Sequence, residues 1–352
     1  MSHCVAILGA GIGAAHAEGY AAHPEHFQVA AICDLDRDRA EALAATLPGA
    51  VAVTDLSPLI DDPAIDLIDI CLPPHLHVPT ALAALDAGKQ VVCEKPLALA
   101  LSDIDRLERA EGQGRLYPVF QYRYGIGMAG IEAVVAAGLA GAPLVASLET
   151  HWARDAVYYA VPWRGTWAGE GGGAVLGHAI HIHDLISRLF GPIAEVAALT
   201  ATRANPIEVE DCAALSLRFA SGALGSSSVT LGAADDTSRL RLVFEHVTVE
   251  SGQTPYAPAA TPWRITARDP GRQEAVDEVL AVLTEPPPGF AGYLAALADT
   301  LAGRPSDFPT LTDGRRSIEL VTAIYDAASS GRTVALPLTP AHPLYAGWRP
   351  AA

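Results

Sequence analysis

Lys95, within Glu94-Lys95-Pro96, places an ammonium directly after a short apolar run, Gln90-Val91-Val92-Cys93. Open α/β sheets bind their ligands at the carboxyl ends of strands, and Pro96 closes the strand at that point. A lysine so placed can hydrogen-bond a hydroxyl or ketone oxygen and stabilise charge developing on it. A second chemistry-bearing run is Gly177-His178-Ala179-Ile180-His181-Ile182-His183-Asp184. Residues 174–190 have helical spacing, with Leu176, Ile180, Leu185, Ile186 and Leu189 as packing positions. His178, His181 and Asp184 then follow at i, i+3 on one broad face, and His183 points away. An imidazole titrates at about pH 6.5 and can accept a hydroxyl proton; a hydrogen-bonded core histidine is the competing reading. His151, His178, His181 and Asp184 offer metal-type ligands, but in no recognised ligand spacing, so no metal is expected.

What Lys95 would face is set by the start of the chain. Val5-Ala6-Ile7-Leu8 runs into Gly9-Ala10-Gly11-Ile12-Gly13-Ala14-Ala15-His16, a glycine turn between strand and helix that suits a pyrophosphate at a helix N-terminus. Gly9, Gly11, Ile12 and Gly13 are the cofactor-loop candidates. The third glycine falls one residue early, since the usual position is Ala14. Asp34 ends the next strand, 21 residues after Gly13, where a carboxylate bonds the adenosine ribose and repels a 2′-phosphate. NAD is therefore expected; Arg37 and Arg39 keep NADP as an alternative.

These residues need a scaffold. Val5–Leu8, Val29–Cys33, Ala50–Val53, Leu67–Leu72, Gln90–Cys93 and Leu116–Tyr122 read as strands, with Ala-rich helical stretches such as Arg37–Leu47 and Val78–Ala87 between them. Continuous apolar strands alternating with helices predict a doubly wound parallel sheet. Beyond residue 140, Leu144–Trp152, Val196–Thr202, Ala213–Phe219, Leu224–Leu231, Leu240–Val249 and Trp263–Ala267 predict an open, mostly antiparallel sheet. Helices Gly289–Ala302 and Thr312–Ser330 close the chain. The expected fold is α/β: a Rossmann domain over 1–123 and a substrate-binding and oligomerisation domain over 124–352, whose last helix is a candidate to pack back on the first domain.

Within the second domain, Glu149 and His151 share one strand face, and Trp163-Arg164-Gly165 precedes the glycines. His151, Trp163 and Arg164 suit a polyhydroxylated ligand, as rings cover sugar C–H faces and polar groups read hydroxyls. Tyr158 and Tyr159 are alternative proton donors.

Composition narrows the setting. The 352 residues carry net charge −17, half are hydrophobic and 18% are charged. Nothing supplies a basic face for nucleic acid or anionic membranes. No apolar run reaches the roughly 18 to 20 residues of a membrane span, and the N-terminus reads as a strand rather than a signal peptide. Five cysteines without a Cys-x-x-Cys pair fit a reducing cytoplasm.

Together the glycine loop with His16, Asp34, Leu72-Pro73-Pro74-His75-Leu76-His77, Glu94-Lys95-Pro96, the Gly171–Asp184 segment and Leu336-Pro337 resemble the glucose–fructose oxidoreductase / inositol 2-dehydrogenase (Gfo/Idh/MocA) family. The resemblance covers nearly the whole chain. It implies that Lys95 lies beside the nicotinamide and bonds the reacting oxygen, that Pro73, His75 and Glu94 border the cofactor, and that His181 is the acid/base. His178 and Asp184 are candidate substrate contacts, and the resemblance implies a homodimer or homotetramer through the second sheet. The family pattern Asp-x-Gly-x-His-x-x-Asp is broken here: Gly177 replaces the leading Asp, and His178 is a candidate substitute. The expected activity is an NAD(P)-dependent dehydrogenase or reductase of a sugar, inositol or related polyol. Redox-assisted glycoside cleavage and an inactive cofactor-binding regulator are the alternatives.

Overall fold

The computed structural model describes residues 2–111 and 114–349. The chain divides into two compact units, Met1–Phe120 with Phe290–Arg315, and Gln121–Gly289 with Arg316–Ala352.

The first unit holds β1 (His3–Leu8), β2 (Phe27–Cys33), β3 (Val51–Val53), β4 (Leu67–Ile70), β5 (Gln90–Cys93) and β6 (Leu116–Pro118), all parallel, in the order β3-β2-β1-β4-β5-β6. Its crossovers are α1 (Gly13–Ala21), α2 (Arg37–Ala44), α3 (Ser57–Asp61), α4 (His77–Asp86) and α5 (Leu101–Glu111). Val5, Ile7, Leu67, Ile68, Val91 and Val92 are wholly buried, as a sheet covered on both faces requires. The predicted strand Leu116–Tyr122 stops at Pro118, and Gln121–Arg123 turns into 3₁₀ helix. Its partner β5 ends opposite, at Cys93, so nothing remains to pair with. Residues 290–315 complete this core: Tyr293 is fully buried and packs on Phe308, which also meets Tyr117 edge-on.

In the second unit α6 (Ile126–Ala136) is followed by β7 (Pro143–Ala153), α7 (Ile180–Phe190), β8 (Ile193–Ala201), β9 (Cys212–Phe219), β10 (Leu224–Thr230), β11 (Gly232–Phe244), β12 (Val247–Glu250), β13 (Arg264–Ala267) and α8 (Pro270–Ala281). After α9 (Gly289–Leu301) and α10 (Leu311–Ser330), β14 (Val334–Ala335) completes an eight-stranded sheet ordered β13-β12-β11-β7-β10-β9-β8-β14. Only β7 and β10 run parallel in it. The expected single strand Leu240–Val249 is a hairpin that breaks at Glu245-His246, where the buried apolar positions change from even (Leu240, Leu242, Phe244) to odd (Val247, Val249). One face carries α7, with Phe190 against Phe219 and Phe244. The opposite face leaves Leu144, Val145, Leu199 and Leu224 exposed.

Candidate active site

In the first unit the candidate residues follow neighbouring strands at their carboxyl ends. The glycine turn follows β1, Asp34 follows β2, Pro73 and His75 follow β4, and Lys95 follows β5. Gly9 has φ +103°, and a Cβ there would lie 2.4 Å from the Cys71 carbonyl oxygen. At Gly13 a Cβ would lie 2.8 Å from Ile7 Cγ2, so this glycine lets α1 pack on β1 despite its early position. Gly11 faces open space, with nothing within 4 Å of a Cβ. No acceptor among the described residues takes the N–H groups of Gly11, Ile12 or Gly13. Open backbone and free donors at a helix start fit a pyrophosphate. Asp34 accepts the Ala10 N–H at 2.9 Å and the Asp36 N–H at 2.9 Å, and Arg39 Nε lies 3.8 Å away. Asp34 thus braces the turn while its carboxylate stays at the strand end.

Lys95 is half-buried, and its backbone N–H donates to Glu94 Oε2 at 2.9 Å. Glu94 itself is buried. Pro73 is half-buried at the head of a 3₁₀ turn, Pro74–Leu76, on which His75 is exposed. The fixed histidine of this stretch is His77, overlooked in the sequence: Nδ1 lies 2.7 Å from the Pro96 carbonyl and Nε2 2.7 Å from that of Leu72. Burial pulls its pKa down.

In the second unit the histidine segment opens as π-helix over Val175–Ala179 and continues as α7. The wide turn carries His178, and π-turns recur at functional sites. His181 is buried, and the Tyr122 ring stacks on it at 4.3 Å and 17°. Asp184 is gripped by Arg123, with Nε to Oδ2 at 2.7 Å and a second bond to Oδ1 at 2.5 Å. His183 turns to the sheet and meets Ser227 Oγ at 3.0 Å; burial lowers its pKa to about 4. A Cβ at Gly177 would meet nothing within 4 Å, so no packing replaces the family carboxylate.

His178 abuts an aromatic group. Trp152 meets it edge-on at 5.1 Å, and Tyr158 Oη lies 3.5 Å from Nε2. The Arg164 guanidinium lies 3.8 Å from the Tyr158 ring centre and 5.3 Å from that of Trp163. Arg154, paired with Asp236, also faces Trp152 and Tyr158. Trp163, Arg164 and His178 are thus brought together with Trp152 and Tyr158. His151 is not. It points to the opposite face of β7, as strand alternation demands, and bonds Ser228 Oγ at 2.9 Å. That also removes it from the metal-type set considered above.

Glu210, also missed in the sequence, anchors the histidine segment. Its carboxylate accepts the N–H groups of Gly173 and Val175, each at 3.0 Å, and the Tyr325 hydroxyl. A Cβ on Gly173 would lie 1.8 Å from the Glu210 carbonyl oxygen. Burial pushes the Glu210 carboxyl up to about 7, against those hydrogen bonds. Its folded pKa exceeds the unfolded value, so its stabilising contribution is complete below about pH 4.5 and is lost as pH rises through about 7, a loss on the order of 3 kcal/mol. Glu210→Gln should remove this component. Melting curves across about pH 5 to 8 are expected to fall more steeply for wild type than for Glu210→Gln; parallel curves would refute the assignment.

Among the described residues, one buried trio, His16, Asp69 and Cys71, has metal-type ligand atoms within 4.8 Å of one another. Those atoms bond one another: His16 Nδ1 to Asp69 Oδ2 at 2.8 Å and the Cys71 thiol to Asp69 Oδ1 at 3.5 Å. Burial keeps that thiol protonated, so the trio is a hydrogen-bonded cluster.

A parallel sheet in this order, with an open glycine turn after its first strand and an acid after its second, is a dinucleotide-binding Rossmann domain. The chain belongs to the Gfo/Idh/MocA oxidoreductase family. Residues 4–120 match the family's NAD-binding Rossmann-fold model, and residues 128–250 match its C-terminal domain model. Levoglucosan dehydrogenase of Pseudarthrobacter phenanthrenivorans is 29% identical over 264 residues, 65% of this chain and 67% of that protein. Inositol 2-dehydrogenase of Acidothermus cellulolyticus is 28% identical over 340 residues, 87% of this chain and 96% of that protein. Against two other curated oxidoreductases the chain spans little more than half their length, 57% and 59%. The WlbA dehydrogenase from Bordetella pertussis, solved with NADH and UDP-GlcNAcA, superposes with a TM-score of 0.83 at 28% identity, covering 96% of this chain and 100% of that one.

Proposed function

We propose that the chain is an NAD-dependent dehydrogenase of a secondary alcohol on a sugar, inositol or related polyol. The observation that carries this reading is Lys95 at the carboxyl end of β5, at the same end of the parallel sheet as the glycine turn after β1 and Asp34 after β2. When bound, a nicotinamide dinucleotide supplies the hydride acceptor. Gly9, Gly11, Ile12 and Gly13 would hold its pyrophosphate, Asp34 its ribose, and Pro73, His75 and Glu94 would border it. Lys95 bonds the substrate oxygen and stabilises the charge that develops there, while His181 takes the hydroxyl proton on an imidazole nitrogen. His178, Trp163 and Arg164 read the ring and its hydroxyls, and Asp184 acts through Arg123 by holding α7. Exposed Leu144, Val145, Leu199 and Leu224 support a homodimer or homotetramer through the open sheet face.

No helix among the described residues is long and apolar enough to cross a membrane. The five cysteines are unpaired, which supports a cytoplasmic setting.

The test is a screen of monosaccharides, inositols and keto-sugars, read as NADH absorbance with NAD and NADP in parallel. NADH formation with a polyol is expected, with NADP the poorer cofactor. Asp34→Ser should raise the NADP-to-NAD ratio of kcat/KM by about tenfold, the scale of one removed like-charge contact. No reduction of either cofactor by any polyol would overturn the reading; release of a reducing sugar without net NADH would point to glycoside cleavage.

A further inference from the structure

His16 lies near the start of α1, four residues after the open backbone of Ile12. Its Nδ1 is 2.8 Å from Asp69 Oδ2 on β4, and its Nε2 is 3.1 Å from Glu94 Oε1 beyond β5. The side chains of His16, Asp69 and Glu94 are 1%, 0% and 5% exposed, so water cannot replace either bond. A neutral imidazole has one N–H and meets two carboxylates here; satisfying both takes an imidazolium. Burial opposes that charge, but Asp69 outweighs it and holds His16 well above its usual range. Also facing this cluster are the neutral Cys71 and Cys93 thiols, Tyr20 on the same helix, and the Phe290 ring, 4.2 Å from the imidazole.

The second oxygen of Glu94 receives the Lys95 N–H. A continuous chain of bonds therefore runs from Asp69 through His16 and Glu94 to the backbone of Lys95. On the far side of Lys95, His77 meets the carbonyl of Pro96. We infer that His16 is a positioning residue for Lys95: bonded between Asp69 and Glu94, it fixes the carboxylate that holds the lysine's backbone and ties that turn to the helix that opens at the glycines. The inference rests on the role proposed above for Lys95. It adds that the glycine turn and the lysine are set as one rigid body, so that a displacement of about 1 Å at Lys95 is what His16 prevents.

The experiment uses a property of this sequence: it contains two lysines, Lys89 and Lys95. Lys89 is buried and donates to the carbonyls of Asp62 and Ile65. Side-chain labelling of lysine with ¹³C and ¹⁵N therefore gives two resonances, readable without cofactor or substrate. In His16→Gln the longer amide reaches where Nε2 was and keeps the bond to Glu94. In His16→Asn the shorter amide reaches where Nδ1 was and keeps Asp69 but loses Glu94. His16→Asn should move the Lys95 resonance and leave that of Lys89, and should lower kcat at least about tenfold with the Kd for NAD unchanged. His16→Gln should recover the Lys95 resonance and most of kcat. Equal losses in the two variants, or an unmoved Lys95 resonance in His16→Asn, would overturn the inference. Should both fail to fold, Glu94→Gln supplies the test: a shifted Lys95 resonance supports the chain of bonds and an unshifted one refutes it. Lys95→Ala in the same assay separates the two levels, because unchanged turnover there would remove the role of Lys95 itself.

Discussion

Lys95→Ala is expected to lower kcat by about two to three orders of magnitude, the cost of removing one preorganised donor from a developing oxyanion. Dinucleotide affinity should barely change, because the groups that would hold the cofactor are backbone donors and Asp34 rather than this side chain. Two features make the loss hard to compensate. The only other lysine, Lys89, is committed to the carbonyls of Asp62 and Ile65. The Lys95 backbone is held from both sides, by Glu94 and by His77 on Pro96, so the turn should keep its shape when the side chain is cut back. Lys95→Arg should recover little, since a planar fork does not replace a point charge on a flexible stem. Steady-state kinetics, with NADH binding by fluorescence, checks all three statements; an alanine variant with wild-type kcat would end the assignment.

The parts of this picture that were legible in sequence are those set by local chemistry. Apolar runs such as Leu67–Ile70 and Gln90–Cys93 announced buried strands, and Gly9 through Gly13 announced a turn that side chains would block. Edges were less legible. Where β6 stops is decided by where β5 ends, and the break at Glu245-His246 is marked only by a change of parity in the buried positions, from Phe244 to Val247. Least legible were residues whose work is defined by partners far along the chain. His16 is 53 residues from Asp69 and 78 from Glu94. Glu210 is 37 residues from Gly173, which it caps. His151 was hard to place for a related reason: its strand neighbour Trp152 faces the histidine segment, and alternation sends His151 to the other face. The π-turn at Val175–Ala179 also escaped, since helical periodicity assumes an unbroken α-helix.

His181→Asn should be the second large loss, about a hundredfold or more in kcat, the usual scale for removing a positioned general base. It should also abolish the acidic limb of the kcat/KM pH profile, a readout that a packing defect would not produce. The surroundings argue that the variant folds: Tyr122 can still stack on an amide, and the Arg123–Asp184 pair that fixes α7 is untouched. The companion variant His178→Asn decides what stands in for the missing family acid. A carboxylate at position 177 would have supported the imidazole, yet Gly177 faces open space and His178 is occupied with Trp152 and Tyr158. His178 is therefore expected to shape the substrate wall, raising KM with kcat within about threefold of wild type, as loss of uniform binding does. A kcat loss in His178→Asn as large as that in His181→Asn would instead make the two histidines a coupled pair. Unchanged turnover and an intact acidic limb in His181→Asn would move the proton transfer to Tyr158 or Tyr159, the alternative proton donors on the loop after β7.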